Sequence, residues 1–82
     1  MNNIRIYLFA TLRDYAGVRA VDMEIPAGMT IAGLKVKLVK TYPKLAPVKE
    51  SMMAAVNREY AADAQIVPQG AEIAFFPPVS GG

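Results

Sequence analysis

The chain closes on Phe75-Phe76-Pro77-Pro78-Val79-Ser80-Gly81-Gly82, and this stretch carries the residue types and spacing best suited to chemistry. Glycine admits either sign of φ and lets another backbone approach closely, so Gly81 and Gly82 leave the final carbonyl sterically open to attack. An α-carboxyl group with a pKa of about 3.3–3.7 is ionised at neutral pH. Such a carboxylate is a poor electrophile, so acyl chemistry there needs prior activation, most simply as an acyl-adenylate. Pro77 and Pro78 remove two backbone donors and hold φ near −65°, and Phe76, preceding a proline, is kept extended. Residues 77–82 therefore read as a stiff arm that reaches roughly 20 Å when fully stretched. Frayed ends are common, but a rigid spacer directly after an apolar strand suits an arm that enters another protein's narrow site.

The rest of the composition offers little catalytic equipment. The 82 residues predict one domain, 1–82, with the arm at 77–82. They include no cysteine and no histidine, which removes thiolate chemistry and the commonest general base and metal ligand. The seven acidic residues are scattered, and Asp22 and Glu24 fit the solvated face of an edge strand. The expectation is a chain with no active site of its own and no bound cofactor or metal. A net charge of +2, from nine basic and seven acidic residues, is too even to argue for nucleic acid or an anionic membrane. No apolar run approaches the roughly 20 residues of a membrane span. Met1-Asn2-Asn3-Ile4-Arg5 lacks the plan of a signal peptide, so a soluble, cytoplasmic protein is expected. The hydrophobic share of 54% is somewhat high and points to an exposed apolar face, and so to a partner.

Several elements must position the arm. Ile4 to Ala10 alternates and is rich in β-branched and aromatic residues, predicting an interior strand. Thr11 to Gly17 reads as a connection with at most a helical turn, closed by Gly17. Ala20 to Ile25 alternates, with Val21, Met23 and Ile25 inward, and pairs with the first strand as a hairpin. After the Pro26-Ala27-Gly28 turn, Thr30 is an N-cap candidate. Ile31, Leu34, Leu38 and Tyr42 then recur at helical spacing until Pro43. Lys35 lies near the apolar side of this helix and is expected to snorkel. Gly33 weakens the helix interior without an evident reason. Lys44 to Glu50 reads as a proline-punctuated loop, Met52 to Asn57 as a strand, Asn57-Arg58 as a turn, and Glu59-Tyr60-Ala61 as a short strand. Asp63 to Pro68 is irregular, Gln69-Gly70 turns the chain, and Glu72 to Phe76 forms the last strand. This order predicts an α+β, β-grasp (ubiquitin-like) fold: a mixed sheet with one main helix on one face and parallel first and last strands. A ferredoxin-like domain would need a second full helix, for which the Asp63–Pro68 stretch is too short.

Glu72 to Gly82, read together, resembles the C-terminus of the small subunits of molybdopterin synthase, within the MoaD/ThiS sulfur-carrier family. Ile4 to Ala10 followed by Leu12-Arg13, the Thr30 helix, and Ala54-Ala55-Val56-Asn57 extend the resemblance along the chain. What it implies is a sulfur carrier in a heterotetramer with the synthase large subunit. An E1-like activating enzyme that uses ATP would adenylate Gly82, and a sulfur donor protein would displace AMP to leave a thiocarboxylate. The carrier would then pass sulfur to cyclic pyranopterin monophosphate, while catalytic lysines and the substrate pocket belong to the large subunit. Related readings are a thiamine-pathway carrier, in which a Phe-Phe-Pro-Pro block is not usual, and a ubiquitin-like modifier joined to lysines through Gly82. A plain interaction domain is the bland alternative.

Alternation also divides the sheet faces. If Ile73 and Phe75 meet the helix with Ile4, Ile6 and Leu8, then Tyr7, Phe9, Ala74 and Phe76 share the uncovered face, with Tyr60 adjoining. Aromatics at strand spacing are usually core. One helix covers one sheet face, however, so the expected partner-binding set is Tyr7, Phe9, Tyr60 and Phe76 with the arm residues Pro77, Pro78 and Val79.

Overall fold

A computed structural model describes residues 2–78. Its five strands are β1 (Asn2–Leu8), β2 (Ala20–Ile25), β3 (Met53–Val56), β4 (Glu59–Ala61) and β5 (Glu72–Phe76), and its helices are α1 (Thr11–Ala16) and α2 (Ile31–Thr41). The strands form one sheet in the order β2-β1-β5-β3-β4. β1 and β5 are parallel neighbours, with Ile6 opposite Ile73 and Leu8 opposite Phe75, and the β1–β2, β3–β5 and β3–β4 pairs are antiparallel. This is the expected mixed-sheet β-grasp arrangement.

The period-two pattern puts Ile4, Ile6, Leu8, Ile73 and Phe75 on one face, all buried. There they share a core with Ile31, Leu34 and Leu38 of α2, with Leu12 of α1 and with Leu45. Fully burying each such side chain is worth about 1.5–3 kcal/mol, and this layer is the main store of stability. Three local assignments differ from the sequence expectation. β1 stops at Leu8 because Ala10 takes φ 53 and Phe9 and Ala10 carbonyls accept from Leu12 and Arg13 N–H. A true helix, α1, follows, anchored by buried Leu12 and ended by Gly17 in the left-handed region at φ 79. The proline-punctuated loop contains a 3-10 turn, Pro43–Val48, which buries Leu45.

The irregular segment before β5 is fully engaged. Thr30 caps α2, its hydroxyl accepting from Gly33 N–H at 3.2 Å. The two preceding amides donate across the fold, Ile31 N–H to Gln65 O at 2.9 Å and Ala32 N–H to Asp63 O at 3.0 Å. The first turn of α2 thus has its unpaired donors satisfied by a loop rather than by water. Gly33 also finds a reason: a Cβ there would lie 3.2 Å from Cγ of Met29, so the Met29 side chain occupies that space.

Lys35 does not snorkel. It is buried, and its Nζ donates to the Met52 carbonyl at 2.7 Å and to Asp63 Oδ1 at 2.9 Å. The Met52 carbonyl lies inward and Asp63 lies at the rim, where α2, the start of β3 and the 62–68 loop converge, so the ammonium turns to them rather than to solvent. Lys35→Ala removes the donor from a backbone carbonyl in the interior and is expected to cost about 1–3 kcal/mol in urea denaturation. Asp63→Asn, at a side chain 62% exposed, should cost less than about 1 kcal/mol.

Candidate functional site

The face of the sheet away from α2 is built in rows across the strands. One row runs Ala20–Tyr7–Ala74–Ala55–Tyr60 by direct register. Its small central residues, Ala74 and Ala55, leave a low floor between two tyrosines. Toward the end of β5 the next row pairs Phe76 with Met53. Phe9 stands alongside, its N–H donating to Phe75 O at 3.2 Å. Nothing among the described residues covers these groups: Tyr60 is 74% exposed, Phe9 51% and Met53 38%. Phe76 is half-buried, and Tyr60 meets it edge-on, with ring centroids 5.8 Å apart and planes at 61°, the geometry that aromatic quadrupoles prefer.

The opposite end of the same face is polar. Arg5 faces Asp22 on β2 and Glu72 on β5, and its Nε and Nη2 donate to the two Asp22 oxygens at 2.7 and 3.1 Å. Tyr7 Oη donates to Glu72 at 3.2 Å. A cleft of about 550 Å³ lies here, lined by Asn3, Arg5, Asp22, Glu24 and Glu72 among others. It sits away from Phe76 and the start of the arm. Another cavity, about 280 Å³, is lined by Tyr7, Phe9, Arg58, Glu72, Ile73 and Ala74. Among the described residues no group of three or more acidic side chains is placed to hold a metal ion.

The sequence-derived set is therefore brought together: Tyr7, Phe9, Tyr60 and Phe76 share the open face, and half-buried Pro77 and exposed Pro78 continue from its edge. Val79, Gly81 and Gly82 lie outside the described residues. Two members of the face escaped the sequence reading. Met53 was legible in principle, being two residues from Ala55 in an alternating strand. Arg58 was passed over as a turn residue.

A family model described as the ThiS family matches residues 6–82. The chain belongs to the ThiS/MoaD family. A protein of Arabidopsis thaliana named "Molybdopterin synthase sulfur carrier subunit" is 37% identical over 79 residues, covering 96% of this chain and 82% of the relative. A protein of the same name from Chlamydomonas reinhardtii is 32% identical, covering 96% of this chain and 98% of the relative. Among solved structures, the H. volcanii small archaeal modifier protein 1 superposes with a TM-score of 0.87 at 28% identity, covering 96% of this chain and 100% of that one. In this ThiS/MoaD chain, as the sequence led one to expect, the β-grasp sheet buries Phe75 and turns Phe76 the other way.

Two outcomes follow from this geometry. Phe75→Ala should cost roughly 3–5 kcal/mol of stability, as for a fully buried phenylalanine, whereas Phe76→Ala should cost less than about 2 kcal/mol. Chemical denaturation of the two variants checks this. The second outcome concerns acid. The hydrogen bond from Arg5, more than their charge attraction, holds the Asp22 carboxyl below its ordinary range. A depressed carboxyl pKa stabilises the fold above the unfolded value and stops doing so as pH falls through the folded one. The denaturation midpoints of the native chain and Asp22→Asn should differ by a small, constant amount at neutral pH. They should converge below about pH 3.9, the ordinary aspartate value.

Proposed function

We propose that this chain is the sulfur-carrier small subunit of molybdopterin synthase, with the Gly82 carboxylate as the group that bears sulfur. The observation that carries the reading is the junction at Phe76. The central strand β5 ends there, on the open aromatic face, and Pro77-Pro78-Val79-Ser80-Gly81-Gly82 follow at once. The names of the Arabidopsis and Chlamydomonas relatives support it.

In this reading the open face docks on the large subunit and on an E1-like activating enzyme. The activating enzyme uses ATP to convert the Gly82 carboxylate to an acyl-adenylate, releasing pyrophosphate. Sulfide delivered by a sulfur donor protein then attacks the acyl carbon and displaces AMP, so that the thiocarboxylate remains. Sulfur passes from it to cyclic pyranopterin monophosphate in the large subunit, and two dithiolene sulfurs require two charged carriers or two rounds. The chain supplies the sulfur and the docking surface, and the partner supplies the substrate site.

A second reading, a modifier joined to lysines through Gly82, is favoured by the structural likeness to a protein called an archaeal modifier. One experiment separates the two. Incubated with the activating enzyme, ATP and a sulfur donor, the chain should gain the mass of one oxygen-to-sulfur exchange, located on Gly82 by peptide mass spectrometry. A chain ending at Gly81 should fold with unchanged thermal stability and remain uncharged. An isopeptide to a lysine of another protein, with no thiocarboxylate at any stage, would establish the modifier reading instead.

A further inference from the structure

β3 and β4 are joined by Asn57 and Arg58, both at positive φ, 49° and 72°. A two-residue hairpin turn of this kind favours Asn-Gly, because both central residues must be left-handed. Asn57 fits that rule, and its role is complete. Its N–H donates to Glu72 O at 2.8 Å, and its Oδ1 accepts from Glu72 N–H at 3.0 Å, which ties the turn to β5. Arg58 does not fit. An L side chain is held where glycine would sit without strain, and among the described residues no side-chain hydrogen bond or ion pair offsets it. Arg58 is exposed, and among the described residues its guanidinium is in no ion pair or side-chain hydrogen bond. A strained residue with no such tie to the fold is a candidate for function.

Its surroundings indicate which function. Arg58 lines the 280 Å³ cavity at the tyrosine row, with Tyr7, Phe9, Ala74 and Glu72. A guanidinium beside an apolar floor is suited to paired hydrogen bonds with a planar anion in a partly dehydrated setting. Glu72 limits the choice of anion. Glu72 lines the same cavity, its carboxylate accepting from Tyr7 Oη, and its charge disfavours a doubly charged phosphate more than a singly charged carboxylate. We propose that Arg58 is a partner-recognition residue that receives an Asp or Glu side chain from the large subunit of molybdopterin synthase, fixing the register in which that protein covers the open face. This rests on the carrier reading and on docking through that face.

The test is binding of the large subunit to the full-length chain and three variants, with thermal unfolding measured on each. Arg58→Gly should unfold at a temperature no lower than the native chain, since strain is relieved, yet bind about tenfold more weakly at low salt, a loss typical of a charged contact that orients an interface. That gap should narrow as salt is raised and the charge is screened. Arg58→Glu, which keeps the backbone strain and reverses the charge, should bind more weakly still. Phe76→Ala serves as the control for the face itself. If both Arg58 variants bind like the native chain while Phe76→Ala binds poorly, the inference about Arg58 is overturned and docking through the face stands. If Phe76→Ala also binds normally, docking through the face is overturned, and this inference with it.

Discussion

The structure depends on the parallel pairing of β1 with β5. Strands from the two ends of the sequence become neighbours at the middle of the sheet, so everything between them must leave the sheet and return. α2 fills that path on one side, and its apolar stripe meets Ile6, Ile73 and Phe75. No second long helix is available to cover the other side. One face of β5 is therefore core and the other is left open, and the same pairing carries the chain to Phe76 at the rim of the open face. Pro77, where the arm begins, is held next to the main core layer of the molecule.

Two smaller devices refine that plan. Lys35 and the 62–68 loop fasten the beginning of α2 to the approach to β3, replacing water at the helix N-terminus with protein acceptors and donors. The tie between Asn57 and Glu72 fastens the β3–β4 turn to β5. The second matters for recognition, because Tyr60 reaches Phe76 only while β4 is held in place. An edge strand of three residues, Glu59–Ala61, has few ladder bonds of its own, and the turn supplies what it lacks.

Strand alternation was the most legible part of the sequence. A period of two sends Phe75 and Phe76 to opposite faces whatever the partners, so the open aromatic set could be named before its geometry was known. Thr30 was legible as a cap for a similarly local reason. What escaped notice was order imposed from a distance. Lys35 reads as a surface lysine on a helical wheel, and nothing in its neighbourhood of sequence announces the Met52 carbonyl or Asp63. Residues 62–68 have no periodicity because their bonds go to α2 rather than to one another. α1 is short, with six residues, and owes its existence to one buried leucine, too little for a pattern. Arg58 was hidden by the convention that a turn residue serves the turn.

The central place of β5 also bears on how the protein is made. Ile73 and Phe75 follow every other residue of this core in chain order, and β5 separates β1 from β3 in the finished sheet. Until it inserts, β1–β2 and β3–β4 are two isolated hairpins, each marginal in water alone. A chain that stops short of β5 therefore lacks the assembled open face. The open aromatic face is thus complete only once synthesis has run through Phe76 and β5 has inserted.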